Sequence, residues 1–414
     1  MMSSRAARSG SYPRGEQPVG TADGIGGSMT RRVADVTHDA TRARRLPSLA
    51  AVFDPRANAL NLVRLLLALG VLLRHSYTML GASPGWAPAE ILMRSVFVDA
   101  FFAISGFLIV GSWINKPDVR RYSQARFLRI LPGFWVCLVV TAFVLAPLHA
   151  LITGFPMTLT FLRDEWGYVW HNSALWIFQE GIDGTPTGAS PQESGTWNGS
   201  LWTLAWEFAC YVGVLVLGVT RLISRRALVV ALFLASVAVL ALTSTDLVPG
   251  YLPHHASRFA TMFLAGAVVY SFRDRIPASR WLLLPAAAIV LGATALPDYR
   301  LVGALPLAYL VIVAGALIKN PALRLPTDLS YGTYIYGYPM QQMLIAVGAA
   351  SLGVFGFFLG SVAVVLPLAF VSWRLVERPA LRLKNMRIGR RRPEPAPETP
   401  PGVAVAVSGS VDGG

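Results

Sequence analysis

Charge is what this chain has least of. Of its 414 residues, 14% are Asp, Glu, Lys or Arg, where a soluble globular protein carries about a quarter. So few charges cannot cover a water-facing surface of this size, which sets aside a soluble globular fold. Cysteine is equally scarce. Cys137 and Cys210 both fall inside apolar runs with no metal-ligand spacing around them, and they read as structural thiols. No apolar run precedes residue 60, so nothing resembles a cleaved signal peptide, and the first apolar segment is expected to stay in the membrane. Internal repeats are missing too, as are the paired broken helices of an inverted-repeat transporter.

What is abundant is apolar length. Hydrophobic residues make up 54% of the chain and gather in runs such as 60–80, 91–114 and 227–242. About twenty apolar residues are what a helix needs to cross roughly 30 Å of hydrocarbon, and a helix satisfies its own backbone there. The pattern predicts an all-α polytopic membrane protein with about ten transmembrane helices. They are placed at 58–80, 91–114, 126–150, 199–220, 226–246, 255–273, 280–297, 301–318, 331–350 and 353–375. The membrane domain covers 56–384. Residues 1–55 and the proline-rich 385–414 have the composition of disordered tails.

The net charge of +14 would suggest nucleic acid in a soluble protein. Here the cations sit in the tails and in alternate short loops: Lys116 with Arg120 and Arg121, Arg221 with Arg225 and Arg226, Arg273 with Arg275, and Lys319 with Arg324. That alternation is a topology signal, not a polyanion site, and it puts both termini in the cytoplasm. The longest opposite loop, 151–198, carries Asp164, Glu165, Glu180, Asp183 and Glu193 against Arg163. Its aromatic stretch WGYVWHNSALWIF reads as an interfacial or re-entrant segment that roofs the outer face.

A charged side chain near the bilayer centre costs about 2.5–3.5 kcal/mol, so each one kept inside a span is a functional candidate. Arg64 and His75 lie in the first span. Eleven steps of about 100° bring them within about 20° of one helix face, about 16 Å apart along the axis. Arginine can grip a phosphate bidentately, and histidine moves protons near neutral pH. The plainer reading has Arg64 snorkelling and His75 bonding a neighbouring helix. In the second span Asp99 stands ready to orient His75. Ser105 and Gly106 either allow close helix approach or let a thin acyl arm pass. Arg126 and Arg129, three apart on one helix face at the cytoplasmic start of the third span, suit a single polyphosphate group, although a topology signal needs cations there too. Glu207, beside Trp202 and Trp206, suits an acid, a base or an acceptor for sugar hydroxyls, or else an interfacial carboxylate held in the aromatic belt.

Together these segments resemble the integral membrane acyltransferase 3 family, from about residue 58 to about 384. Arg64 and His75, ten residues between them, resemble its first-helix motif. FFAISGFLI preceded by Asp99 resembles the second-helix signature, RFLR its Arg-x-x-Arg motif, and LWTLAWEF its Trp-Thr-Leu-x-x-Glu segment. LSYGTYIYGYP and the Glu377-Arg378-Pro379 close are similar to its last two helices. One departure is Gly337, where many relatives carry a histidine two residues before the proline, so no role for that histidine transfers. The resemblance implies acyl transfer, most often acetyl from acetyl-CoA as donor substrate, to a hydroxyl of a carbohydrate such as an exopolysaccharide, lipopolysaccharide or lipid-linked sugar. It implies no permanently bound cofactor, and a multi-pass protein of the inner membrane. In that setting Arg64, Arg126 and Arg129 would hold the CoA phosphates, with Ser105 and Gly106 flanking the thioester arm. His75 would act as general base or take the acyl group itself, with Glu207 or Asp99 assisting. The rival readings are a transporter of a lipid-linked saccharide, a non-catalytic scaffold, or acylation of a small glycosylated metabolite.

Overall fold

The structure is a computed structural model, and it describes residues 46–188, 195–245 and 247–383. Among these the chain is helical and has no β-strand beyond two isolated bridges. The main helices are α1 (Leu60–Met79), α2 (Ala87–Asn115), α3 (Val119–Val140), α4 (Leu159–Asn172), α5 (Thr203–Val219), α6 (Arg226–Ser244), α7 (Tyr251–Ser271), α8 (Leu283–Gly292), α9 (Arg300–Leu317), α10 (Ser330–Ala346) and α11 (Gly353–Ser372). Each of the ten expected spans coincides with one of them, α4 being the extra helix. Among the described residues, 6 helical segments are long and apolar enough to cross a membrane, one of them Val119–Thr153, where α3 runs on through a π-turn at Thr141–Leu145. α5 is apolar but shorter. α7 and α10 are more polar because they bring buried side chains to partners: Gln341 of α10 donates to Leu72 O at 3.0 Å and to Ser76 Oγ at 2.8 Å on α1. Polar groups satisfied by a neighbouring helix are tolerated inside a bundle.

Local signals start the helices where they should. The Asp118 carboxylate accepts from Arg121 N at 2.7 Å to cap α3, and Thr158 Oγ1 accepts from Phe161 N at 3.2 Å to cap α4. Residues 47–55 differ from the expectation of a disordered tail. They contain a short helix, Leu49–Val52, whose Leu49 is fully buried and donates its backbone N–H to Ile276 O at 2.8 Å. The rest of both expected tails lies outside the described residues.

The tightest helix contact is α2 on α7. A Cβ at Gly106 would fall 1.9 Å from Phe263 O, and one at Gly266 equally close to Ala103 O. Two glycines therefore let the backbones touch, and Phe102 stacks on Phe259 beside them with ring centroids 4.4 Å apart. The 151–198 loop is built, not slack. Asn172 accepts from the N–H groups of Phe178 and Gln179 at 2.9 and 3.0 Å, Trp197 is fully buried, and Trp166 and Trp170 of α4 project outward.

Candidate active site

Four helices, α1, α2, α5 and α10, enclose two cavities one above the other. The larger, of about 680 Å³, is lined by His75 of α1, Arg94 of α2, Trp206 of α5 and Tyr338 of α10, with the 151–198 loop adding Trp176 and Glu180. The smaller, of about 40 Å³, is lined by Arg64, Phe101, Glu207 and Tyr331 of the same four helices in the same order. Along α10, Tyr334 falls between Tyr331 of the small cavity and Tyr338 of the large one. Its hydroxyl pairs with Thr203 Oγ1 at 2.5 Å and donates to Ser200 O at 2.9 Å. Arg64 and His75, placed on one face by helical geometry, thus line two separate cavities at two depths along α1. His75 packs edge-on against Tyr338, ring centroids 5.0 Å apart.

The carboxylates divide differently from expectation. Glu207 reaches the Arg64 end, where its Oε1 accepts from Ser105 Oγ at 2.9 Å and from Tyr211 OH at 2.5 Å. Ser105 is thereby brought to Glu207. Asp99 does not orient His75. It is fully buried, and its oxygens accept from Arg258 Nε at 3.2 Å, Arg300 Nε at 2.6 Å and Tyr299 OH at 2.5 Å. Arg300 in turn donates to Asp298 at 2.9 Å. A buried carboxylate goes to charged donors where they are within reach, since an unpaired charge there is costly; here they pin α2 to α7 and to the start of α9. Gly106 also moves: it makes the α2–α7 crossing and lines neither cavity.

At the Arg64 end three cations converge by two routes. Arg64 and Arg129 share one oxygen of Asp328, Arg64 in a very short contact and Arg129 Nη2 at 2.5 Å. Arg129 Nη1 lies 3.7 Å from Glu377. Ser330 caps the other Asp328 oxygen with its N–H at 3.2 Å and its hydroxyl at 2.5 Å. Burial by itself would raise the Asp328 pKa, but Arg129 and Arg64 outweigh it and hold the carboxyl down at about 2. Arg126 takes the other route. Its guanidinium lies 5.7 Å from both the Tyr122 and the Tyr211 rings, and its buried Nε has no hydrogen-bond partner among the described residues. The two arginines of RFLR therefore do not grip one group here.

Sequence reasoning missed Asp328 and Tyr211. Tyr211 had a signal, since it follows Glu207 by one helical turn. Asp328 had none beyond standing just before the LSYGTYIYGYP segment.

A family of proteins described as an acyltransferase domain matches residues 57–374 of the chain, which takes in both cavities, nine of the expected spans and all but the last residue of the tenth. The chain belongs to the acyltransferase 3 family. This acyltransferase is 26% identical over 344 residues to an O-acetyl transferase of Shigella phage Sf6, covering 78% of this chain and 96% of the relative. It is 27% identical over 357 residues to Nodulation protein 10 of Rhizobium leguminosarum bv. viciae, covering 81% and 96%. No solved structure matches it. It is a multi-pass membrane acyltransferase, built in the order of motifs its sequence displayed.

Proposed function

We propose that this acyltransferase moves an acetyl group from acetyl-CoA, bound at the Arg64 end, to a carbohydrate hydroxyl bound at the His75 end. The observation that carries the reading is the pair of cavities lined by the same four helices, with Arg64 in one and His75 in the other. CoA is a polyanion, and of the three arginines at the Arg64 end Arg64 and Arg129 already share Asp328, whereas the buried Nε of Arg126 has no hydrogen-bond partner among the described residues. The name of the phage relative, an O-acetyl transferase, supports acetyl as the group moved.

In the reaction, the acceptor hydroxyl oxygen attacks the thioester carbonyl while the His75 imidazole takes its proton. The C–S bond then breaks, and the proton passes on to the departing CoA thiolate. The walls of the larger cavity suit a sugar: Trp176, Trp202 and Trp206 offer apolar ring faces. Glu207 acts on the donor side in this reading, through Ser105 and Tyr211. In this reading the Arg64 end faces the cytoplasm, where CoA is, in a protein of the inner membrane, and the cation pattern of the loops supports that orientation.

Purified His75→Ala protein is the test. Acetyl transfer from acetyl-CoA should fall by about 10²–10⁴-fold, the usual contribution of a general base. A folded variant with wild-type turnover would sink the proposal.

A further inference from the structure

The larger cavity does not end at its tryptophans. Tyr251 and His255, one turn apart at the start of α7, line it and also line a further cavity of about 450 Å³. That space lies between the end of α6, the start of α7 and the residues just before α9, with Ser244, His254 and Asp298 in its walls. The two cavities therefore adjoin at a pair of aromatic side chains.

Rings continue through the junction as a row. Trp176 stands 6.1 Å from Trp206, centroid to centroid, Trp206 6.4 Å from His255, and His255 4.0 Å from Tyr251. The two ends of the row, Trp176 and Tyr251, are exposed. A sugar presents patches of C–H groups between its hydroxyls, and an aromatic side chain covers such a patch with an apolar surface. Beyond Tyr251 the walls turn polar. The Ser244 hydroxyl oxygen is buried and has no hydrogen-bond partner among the described residues, which costs free energy that a ligand hydroxyl would recover. Asp298 is already held by Arg300 Nη1 at 2.9 and 3.0 Å, so this lining suits hydroxyl groups over ions. Each cavity alone lies within the range of about 300–1,000 Å³ that holds a drug-sized ligand. Two in line exceed what one sugar ring fills.

Resting on the function proposed above, we propose that the acceptor is an oligosaccharide chain, with the sugar to be acetylated at His75 and its neighbours running along Trp206, His255 and Tyr251 into the second cavity. Contacts so far from the reacting hydroxyl hold ground state and transition state alike, and so act on KM.

The experiment uses the purified full chain and acetyl-CoA. The acceptors are surface glycans from cells lacking the gene, cut by partial acid hydrolysis and separated by size from one sugar upward. Wild-type protein should use fragments of three or four sugars at least about tenfold better in kcat/KM than the single sugars of the same digest, equivalent to about 1.4 kcal/mol. Tyr251→Ala should bring that ratio toward one, mainly through KM, whereas Tyr251→Phe, which keeps the ring, should preserve it. Ser244→Leu, which intrudes on the second cavity alone, should lower the ratio as well. Equal use of short and long fragments by the wild type overturns this proposal alone, as does a length preference that survives both Tyr251→Ala and Ser244→Leu. Failure to acetylate a fragment of any size overturns it together with the acceptor side of the proposed function.

Discussion

His75 lines the larger cavity and Asp328 holds the Arg64 that lines the smaller one, and the two are built on opposite principles. His75 faces a cavity large enough for a sugar and meets Tyr338 through an aromatic edge contact. Asp328 is locked, taking two guanidiniums and the Ser330 hydroxyl and amide. Removing a partner from a fully buried ion pair costs about 3–5 kcal/mol, and this partly buried cluster should lose less than that. Asp328→Ala should therefore lower the thermal midpoint of the purified protein by several degrees, while Asp328→Asn, which keeps the acceptor oxygen, should lower it less. The pH dependence has a definite sign. The folded pKa, about 2, is below the ordinary value of 3.8, so the stabilisation is complete above pH 3.8 and disappears as pH falls through about 2. Acid titration of stability in wild type against Asp328→Asn checks this, and parallel curves would refute the assignment. Arg64, one of the two cations on Asp328, was visible in the sequence as a charge inside an apolar run. Asp328 was not, because it sits in a short polar loop 264 residues away, where an aspartate is unremarkable by composition.

Among the helices, what was legible and what was not separate along physical lines. Apolar length announces a helix, so each expected span coincides with one, 6 segments among the described residues being long and apolar enough to cross a membrane, and the 3.6-residue period put Arg64 and His75 on one face of α1. Pairing between helices leaves no mark in a single sequence. Asp99 meets Arg258 across 159 residues and Arg300 across 201, and nothing in FVDAFFAISGF favours those partners over His75. The role of Gly106 was ambiguous for the same reason, since a small residue serves a crossing or a passage equally well until the facing helix is known. The crossing makes its own prediction. Gly106→Ala places a Cβ 1.9 Å from Phe263 O, which forces α2 and α7 apart at a cost of about 1–3 kcal/mol. Gly360→Ala in α11 meets nothing within 4 Å and should stabilise by about 0.5–1 kcal/mol, as an unopposed helical glycine-to-alanine change does. Thermal midpoints of the two variants should move in opposite directions, and a fall of equal size in both would remove the crossing from the account.

For the whole molecule, the mechanism depends on direction. Acetyl-CoA is made and held in the cytoplasm, so the Arg64 end must face inward if His75 is to meet acceptors from the far side. The cation-rich loops that include Lys116, and the acidic loop opposite them, favour that direction under the positive-inside rule. Two exposed positions at opposite ends of α2 report on it: Ser83, in the turn before the helix, and Lys116, just after it. Neither native thiol should interfere, because Cys137 is buried and Cys210 lies within α5. In intact cells a membrane-impermeant maleimide should label Ser83→Cys but not Lys116→Cys, and permeabilisation should expose Lys116→Cys. The reverse pattern would put His75 on the cytoplasmic side and Arg64 outside. A polyanionic donor would then have to bind from a compartment that lacks it, and the cation cluster around Asp328 would have to be read as an ion-pair lock for the bundle.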